Sequence, residues 1–379
     1  MKNLTLVVTA DLHFSNALPY ARPLDDGRGL TDRLKDQIEV VKQIGKVARD
    51  FDADAIMVLG DIFDKRLLDA VTLRAGVSAI LELSAQHEVY LLPGNHDAHT
   101  KYGGRSLVDV FSAIAPHVNG ASVTVMESGE GYTFSKADGV AFHALSWAPL
   151  SEMRAELDGI KKSNSFVTAR NVLLTHASVK GMRDGAWECD EGMELSELIE
   201  GFDLVLSGHF HTYQRRNYSE VSGVRTFEYV GAPMQLDFGE CNNGTAVSVY
   251  TFTGTSIEHK RVAIVAPRFF SAVWERGGFQ SQLVVGEGDY VRIDYPATHA
   301  EAKVTLANLQ REVDALKERG VNVFTRHVPV FQHEQRLEIQ EPSQHEEALG
   351  KYLDASIVEE LDKVKLREVG LGLLEEARK

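Results

Sequence analysis

Val89-Tyr90-Leu91-Leu92-Pro93-Gly94-Asn95-His96-Asp97 decides the fold. The apolar run Val89 to Leu92 reads as a buried strand. Gly94 permits a turn that residues with a Cβ resist. An amide, an imidazole and a carboxylate then arrive together where strand meets loop. The Asn95 oxygen is a neutral, weak metal ligand. His96 can carry a proton near neutral pH, and Asp97 beside it can fix its tautomer and raise its basicity. Alone, the segment is equally a polar turn after a strand, so the rest of the chain has to decide.

Upstream, Leu4 to Ala10 is a β-rich run ending in Asp11-Leu12-His13. A loop with Pro19, Pro23, Gly27 and Gly29 follows. Thr31 then reads as the N-cap of a helix carrying Leu34, Ile38, Val41 and Ala48 on one face. Ala55 to Leu59 is a second apolar strand, closed by Gly60-Asp61-Ile62-Phe63-Asp64, and a helix is expected from about Leu67 to Ala85. Strand, helix, strand, helix, strand implies a parallel α/β sheet, whose strand C-termini share one ligand-binding edge. Downstream, short strands near 122–126, 131–134 and 140–145 read as antiparallel. Asn171 to Leu174 ends in Thr175-His176, and Leu204 to Leu206 in Gly208-His209-Phe210-His211. Alternating strands near 226–230, 246–252 and 256–262 complete a large first domain.

The composition shifts near Pro267. A strand at Tyr290 to Asp294, a helix with Leu306, Leu309, Val313 and Leu316 on one face, and a strand at Val321 to Val330 make a small β-α-β unit. Gly320 closes that helix. From Ser343 the chain reads as charged helix, with Ser343 and Glu346 in a capping-box pattern.

The 379 residues suffice for one large domain and one or two small ones. A net charge of −15 argues against a broad basic face that holds nucleic acid unaided. It leaves room for a local site where bound divalent cations invert the charge. Cys189 and Cys241 are too few for a disulfide scaffold and read as reduced thiols of a cytoplasmic protein. No apolar run approaches the roughly 20 residues of a membrane span. Leu4 to Ala10 runs straight into Asp11 and reads as a first strand, not a signal peptide.

Asp11, His13, Asp61, Asn95, His176, His209 and His211 all stand at strand ends. Their oxygen and imidazole donors suit Mn, Fe or Zn better than Ca. Seven such groups can hold two metals if one carboxylate bridges, and Asp61, after a central strand, is the natural bridge. Two metals clamp a phosphate ester and lower the pKa of a water. Each motif is weak singly; five in this order are specific together.

The set D-x-H, G-D-x-x-D, G-N-H-D, a lone His after a strand and G-H-x-H resembles the calcineurin-like metallophosphoesterase superfamily. The resemblance implies an αββα sandwich of two mixed β-sheets flanked by helices. One metal would take Asp11, His13, Asp61 and His211, and the other Asp61, Asn95, His176 and His209. His96 would protonate the leaving oxygen or stabilise the transition state, oriented by Asp97. Asp64 would be structural or would support the ligands. Tyr229-Val230-Gly231-Ala232-Pro233 with Phe238, Gly239 and Glu240 is similar to a segment of SbcD-type DNA double-strand-break repair nucleases. Departures are the long Pro/Gly loop after His13 and Ala232 where serine is usual.

That narrower resemblance implies a manganese-dependent (or magnesium-dependent) DNA nuclease, of compact, phage-like form. It would work as a homodimer with an SbcC-type coiled-coil ATPase. It also implies a nuclease domain at 1–264, a capping domain at 265–337 and a partner-binding helical tail at 338–379. Lys65, Arg66, Lys101, Arg105, Arg215 and Arg216 are basic candidates for the DNA backbone. His87, His99, His117 and His143 read as structural or surface residues. The rivals are a small-molecule or protein phosphoesterase on the same fold, and a metal-stabilised scaffold without chemistry.

Overall fold

Parallel strands buried on both faces need covering layers, and the burial of this chain shows where those layers lie. The computed structural model describes residues 3–100, 103–134, 139–163, 166, 170–185, 187–220, 223–253, 256–275, 277–330, 365–366 and 368–371. The N-terminal part contains β1 (Leu4–Thr9), α1 (Asp32–Asp50), β2 (Ala55–Leu59), α2 (Ala70–Ser84) and β3 (Glu88–Leu92). A hairpin of β4 (Ala98–Thr100) and β5 (Gly103–Ser106) follows, then α3 (Asp109–Ile114) and β6 (Val123–Val125). Next come β7 (Gly131–Tyr132), β8 (Val140–Leu145), α4 (Leu150–Lys162) and β9 (Arg170–Thr175). A second hairpin, β10 (Arg183–Asp184) and β11 (Trp187–Glu188), precedes α5 (Leu195–Ile199) and β12 (Leu204–Ser207). Then follow β13 (Gln214–Glu220), β14 (Gly223–Tyr229), β15 (Ala246–Phe252) and β16 (Ile257–Ala263). The last elements are β17 (Phe269–Glu275), β18 (Gly278–Phe279), β19 (Tyr290–Ala297), α6 (Ala302–Glu318) and β20 (Asn322–Pro329).

One sheet runs β16-β15-β1-β2-β3-β6 and another β13-β14-β12-β9-β8-β7. Their inner faces share one core, with Leu6, Val8, Met57 and Leu59 packed among Phe142, Val172, Leu174 and Leu206. Val7, Ile56, Val58 and Val89 point the other way, against Leu34, Val41, Ile44 and Ile80 of α1 and α2. Leu173, Val205 and Phe227 likewise face Met153, Leu157 and Leu198 of α4 and α5. The result is the expected αββα sandwich of two mixed sheets. Thr31 caps α1, its hydroxyl accepting the Leu34 N–H.

Two strand readings change. Strand β6 pairs parallel with β3 and so extends the first sheet, while only β7 and β8 form an antiparallel pair. The turn glycines between them suggested a meander, yet the chain leaves one sheet for the other after β6. Strand β17, not foreseen, pairs parallel with β19. The chain divides into two compact units, one of Met1–Tyr295 with Ala307–Arg326, the other of Pro296–Leu306 with His327–Lys379. That division does not fall at the expected 264/265 boundary. Within the first unit the physical tie is Arg33. Fully buried, it donates to the Gln235 carbonyl at 2.5 Å and lies over the Phe269 and Tyr290 rings at 5.1 and 5.2 Å. Nearly all of the 338–379 tail, including the Ser343 capping box, lies outside the described residues.

Gly208, between the sheets, shows how tight the junction is. A Cβ there would collide with the Leu59 carbonyl, the Ala10 methyl and the His176 ring. Two of these belong to strand ends that cannot yield cheaply. Gly208→Ala is therefore expected to lower stability by about 1–3 kcal/mol, read as a fall in urea midpoint at unchanged m-value.

Candidate metal centre

The parallel strands β1, β2, β3, β9 and β12 bring their C-terminal ends to one edge, and every expected ligand follows one of them. The backbone there is unusual. Asp11, His13, Asp61 and His209 have φ of 56°, 47°, 52° and 91°, a region non-glycine residues occupy only when surroundings enforce it. The enforcement is visible. Asp11 and His13 donate their N–H groups to the Gly60 and Asp61 carbonyls at 3.0 and 2.9 Å. The Gln37 amide donates to the Leu12 and His13 carbonyls and accepts the Ser15 N–H.

Asp61 lies at the middle. Its Oδ2 is 3.7 Å from His13 Nε2 and 3.2 Å from His176 Nε2, while Oδ1 accepts the His96 N–H at 2.9 Å. On one side Asp11, His13 and His211 converge, with the two Nε2 atoms of His13 and His211 3.0 Å apart. On the other, Asp61, His176 and His209 converge. There the Asn95 amide oxygen stands 3.0 Å from both His176 Nε2 and His209 Nδ1. Each expected ligand is thus beside the partners foreseen for it.

The far nitrogen of three rings is already committed. His176 Nδ1–H donates to the Leu59 carbonyl at 2.8 Å, and His211 Nδ1–H to Glu240 Oε1 at 2.7 Å. His209 Nε2 bonds the Ser178 hydroxyl at 2.8 Å. Such partners fix the tautomer and turn the other nitrogen's lone pair inward. Converging lone pairs and carboxylates of mixed N/O type fit divalent transition cations.

Charge follows the same geometry. Burial opposes ionisation of Asp61, but His176, His13 and His96 hold its carboxyl well below the usual carboxylate range. Burial lowers His176 and His211, yet Asp61 lifts the first to about 9, and Glu240 with Asp11 lifts the second to about 10. Burial and His176 push His209 down to about 3, so it stays neutral and able to bind a cation.

His96 and Asp97 behave differently from the sequence reading. The His96 ring is held by the Asp64 carbonyl, which accepts from Nδ1 at 2.5 Å, not by Asp97. Its Nε2 faces Asp61 Oδ2 at 4.0 Å, and the side chain is 41% exposed. Asp97 is fully buried and accepts N–H groups of Ile62, Phe63 and Gly94 at 2.9–3.2 Å. It binds the Asp61 loop to the Asn95 loop and does not touch the imidazole beside it in sequence. The Asp64 carboxylate stands 3.6 Å from His13 Nδ1, a supporting place.

Glu240, Ser178, Gln37 and Asp184 were not foreseen as part of the centre. Asp184 accepts the N–H groups of His211 and Thr212 at 3.3 and 3.1 Å. Of these four, only Glu240 carried a signal, as the acid closing the Phe238-Gly239-Glu240 segment. Arg215, one of the basic candidates, is spent on buried Glu228 at 2.8 Å, whereas Arg66 reaches the Asn95 carbonyl at 3.4 Å.

The profile described as calcineurin-like phosphoesterase matches residues 4–213, which hold all seven candidate ligands. The chain belongs to the calcineurin-like phosphoesterase family. Among curated relatives, a protein named DNA double-strand break repair protein Mre11 from Saccharolobus solfataricus is 26% identical over 201 residues, 52% of this chain and 48% of its own. Its namesake from Sulfolobus acidocaldarius is 25% identical over 214 residues, 54% of this chain and 50% of its own. The chain thus spans about half the length of the curated relatives it matches. A solved dimetal phosphatase from Danio rerio aligns with 69% of this chain and 96% of its own at 13% identity, with a TM-score of 0.41. Among the described residues no helix of this calcineurin-like phosphoesterase is long and apolar enough to cross a membrane.

Two outcomes follow for the metal-free protein, prepared with chelator. His176 and His211 titrate above the ordinary value of 6.5. Below pH 6.5 folded and unfolded chains are both protonated and the full stabilisation is present. As pH rises towards 9–10 the folded chain loses those protons and the contribution disappears. The denaturation midpoint should therefore fall between pH 7 and pH 10, and Glu240→Gln should flatten the upper part of that fall. The same substitution should weaken metal binding about 10- to 100-fold in a direct titration.

Proposed function

We propose that this phosphoesterase is a two-metal DNA nuclease that hydrolyses phosphodiester bonds in repair or recombination. The observation that carries the reading is the sharing of Asp61 Oδ2 between two converging donor sets, with His96 Nε2 on their exposed side. The similarity to the two archaeal proteins named for double-strand break repair supports DNA as the substrate. Four imidazoles among seven donors favour manganese over magnesium. Asp11, His13, Asp61 and His211 would hold one ion, and Asp61, Asn95, His176 and His209 the other. Bound there, two divalent cations supply charge neutralisation for the phosphate and an activated water.

The chain's own residues do the remaining work. The Asp64 carbonyl fixes His96 with Nδ1 protonated, so Nε2 alone faces substrate. As the imidazolium, protonated at Nε2 as well, it would donate that proton in a hydrogen bond to a phosphate oxygen or pass it to the leaving oxygen, becoming the neutral Nδ1–H ring. Asp97 acts at one remove, keeping the Asp61 and Asn95 loops in register. Arg66, at the Asn95 carbonyl, is placed for an adjacent phosphate. Action as a homodimer with a coiled-coil ATPase of the SbcC type, through the segment 338–379, rests on the resemblance of the sequence. With so acidic a chain, such a partner would supply basic surface for long duplexes.

The experiment is a paired substitution. His96→Asn should keep both ions and lose at least about 100-fold in kcat, whereas Asp61→Asn should lose metal as well. Metal content by elemental analysis and cleavage of labelled DNA give the two readouts. Loss of metal in His96→Asn equal to that in Asp61→Asn would overturn the role given to His96. In the same assay chelation should abolish cleavage and Mn²⁺ should restore it better than Mg²⁺.

A further inference from the structure

The hairpin β10–β11 stands beside the centre and carries a tryptophan that the fold does not use as core. Asp184, on one strand, caps His211 and Thr212, and the Gln214 amide donates to the Arg183 carbonyl at 2.7 Å. Arg183 and Glu188 pair across the strands at 2.6 Å. Trp187 lies opposite Asp184 and is 55% exposed. Its ring meets Phe210 edge-on at 5.8 Å. Phe210 is buried, stacked on Tyr229 at 4.5 Å with an 11° interplanar angle, and 5.3 Å from the His209 ring. Tryptophan is thus mounted through a rigid aromatic stack on the segment that carries two candidate ligands. Among the described residues the other large exposed apolar side chains are aliphatic, apart from Tyr20, which packs on Phe238 and Phe324.

An exposed π-surface on a fixed mount beside a phosphodiester-cleaving centre has one natural complement in the proposed substrate, a nucleobase. Stacking on an aromatic residue strengthens binding by about tenfold or more per base and tolerates any sequence. It also matters more in a chain of net charge −15, where phosphate attraction is limited. A base inside a duplex has its faces occupied by neighbours, so the partner must be unpaired. We propose that Trp187 is a stacking platform for a nucleobase of an unpaired strand next to the scissile phosphate. The proposal rests on the nuclease reading.

The test measures binding apart from cleavage. Phosphorothioate-protected, labelled single strands, with bases or with abasic nucleotides throughout, are titrated by fluorescence anisotropy against the manganese-loaded wild type, Trp187→Ala and Trp187→Phe. The base-bearing strand should bind Trp187→Ala about tenfold more weakly than wild type, with most affinity kept in Trp187→Phe. The abasic strand should bind wild type and Trp187→Ala alike. An equal loss on abasic strands, no loss on base-bearing ones, or no oligonucleotide binding by the wild type would overturn it. So would a lower metal content in Trp187→Ala, which would make the ring a support for the ligand loop. Unprotected strands test the nuclease reading separately: base-dependent binding through Trp187 without any cleavage would retain the platform and remove the nuclease.

Discussion

The centre depends on one buried carboxylate. Asp61 sits 2% exposed between four imidazoles, at a left-handed backbone position, with a single oxygen turned towards both donor sets. Burying that charge is costly unless opposite charge and hydrogen bonds compensate, and the surroundings are arranged to do so. His176 and His13 face Oδ2, the His96 N–H holds Oδ1, and Gly94 leaves room because a Cβ there would fall on the carboxylate itself. Asp97 completes the knot by tying the backbone after Asp61 to the turn at Gly94. A glycine-aspartate turn on one strand and a glycine-asparagine turn on the next are thus two halves of one construction.

The rings around it divide their labour. His176 and His211 each gain an anionic neighbour and hold a proton strongly, while for His209 burial and repulsion by His176 outweigh the pull of Asp61, and it stays neutral. A cation taking Asp61, His176 and His209 as ligands would meet one ring already free and one that must give up its proton. Metal uptake by the centre would in this sense be a proton exchange, in which the cation takes over from the imidazolium protons as counter-charge to the carboxylates.

The candidate donors could be picked out in the sequence because each follows an apolar run, and Asp61, Asn95 and His209 also follow a glycine that lets the chain turn. The parallel strand ends supplied the rest, and the sandwich followed from buried runs alternating with helical faces. What the sequence did not show is the layer of residues holding the donors. Ser178, Gln37 and Asp184 reach the centre through packing that no spacing announces. Asp97 misled for the opposite reason, since adjacency to His96 suggested a pair, while successive side chains at the turn diverge and the carboxylate turns inward. The boundary near Pro267 looked like a domain break from composition alone. Arg33, 0% exposed and far upstream, crosses it with a hydrogen bond to Gln235 and contacts with Phe269 and Tyr290.

The hydrogen bond from His176 to the Leu59 carbonyl joins the C-terminal edge of one sheet to that of the other. Neither sheet alone contains a full donor set, because Asp11, His13, Asp61 and Asn95 follow strands of the first and His176, His209 and His211 follow strands of the second. Contacts this distant in sequence form late in folding, once loop closure has been achieved by other means. The centre therefore reports closure of the sandwich. A nascent or half-folded chain offers scattered histidines and acids with no assembled pair of cation positions, so hydrolytic competence appears only in molecules whose two layers have met.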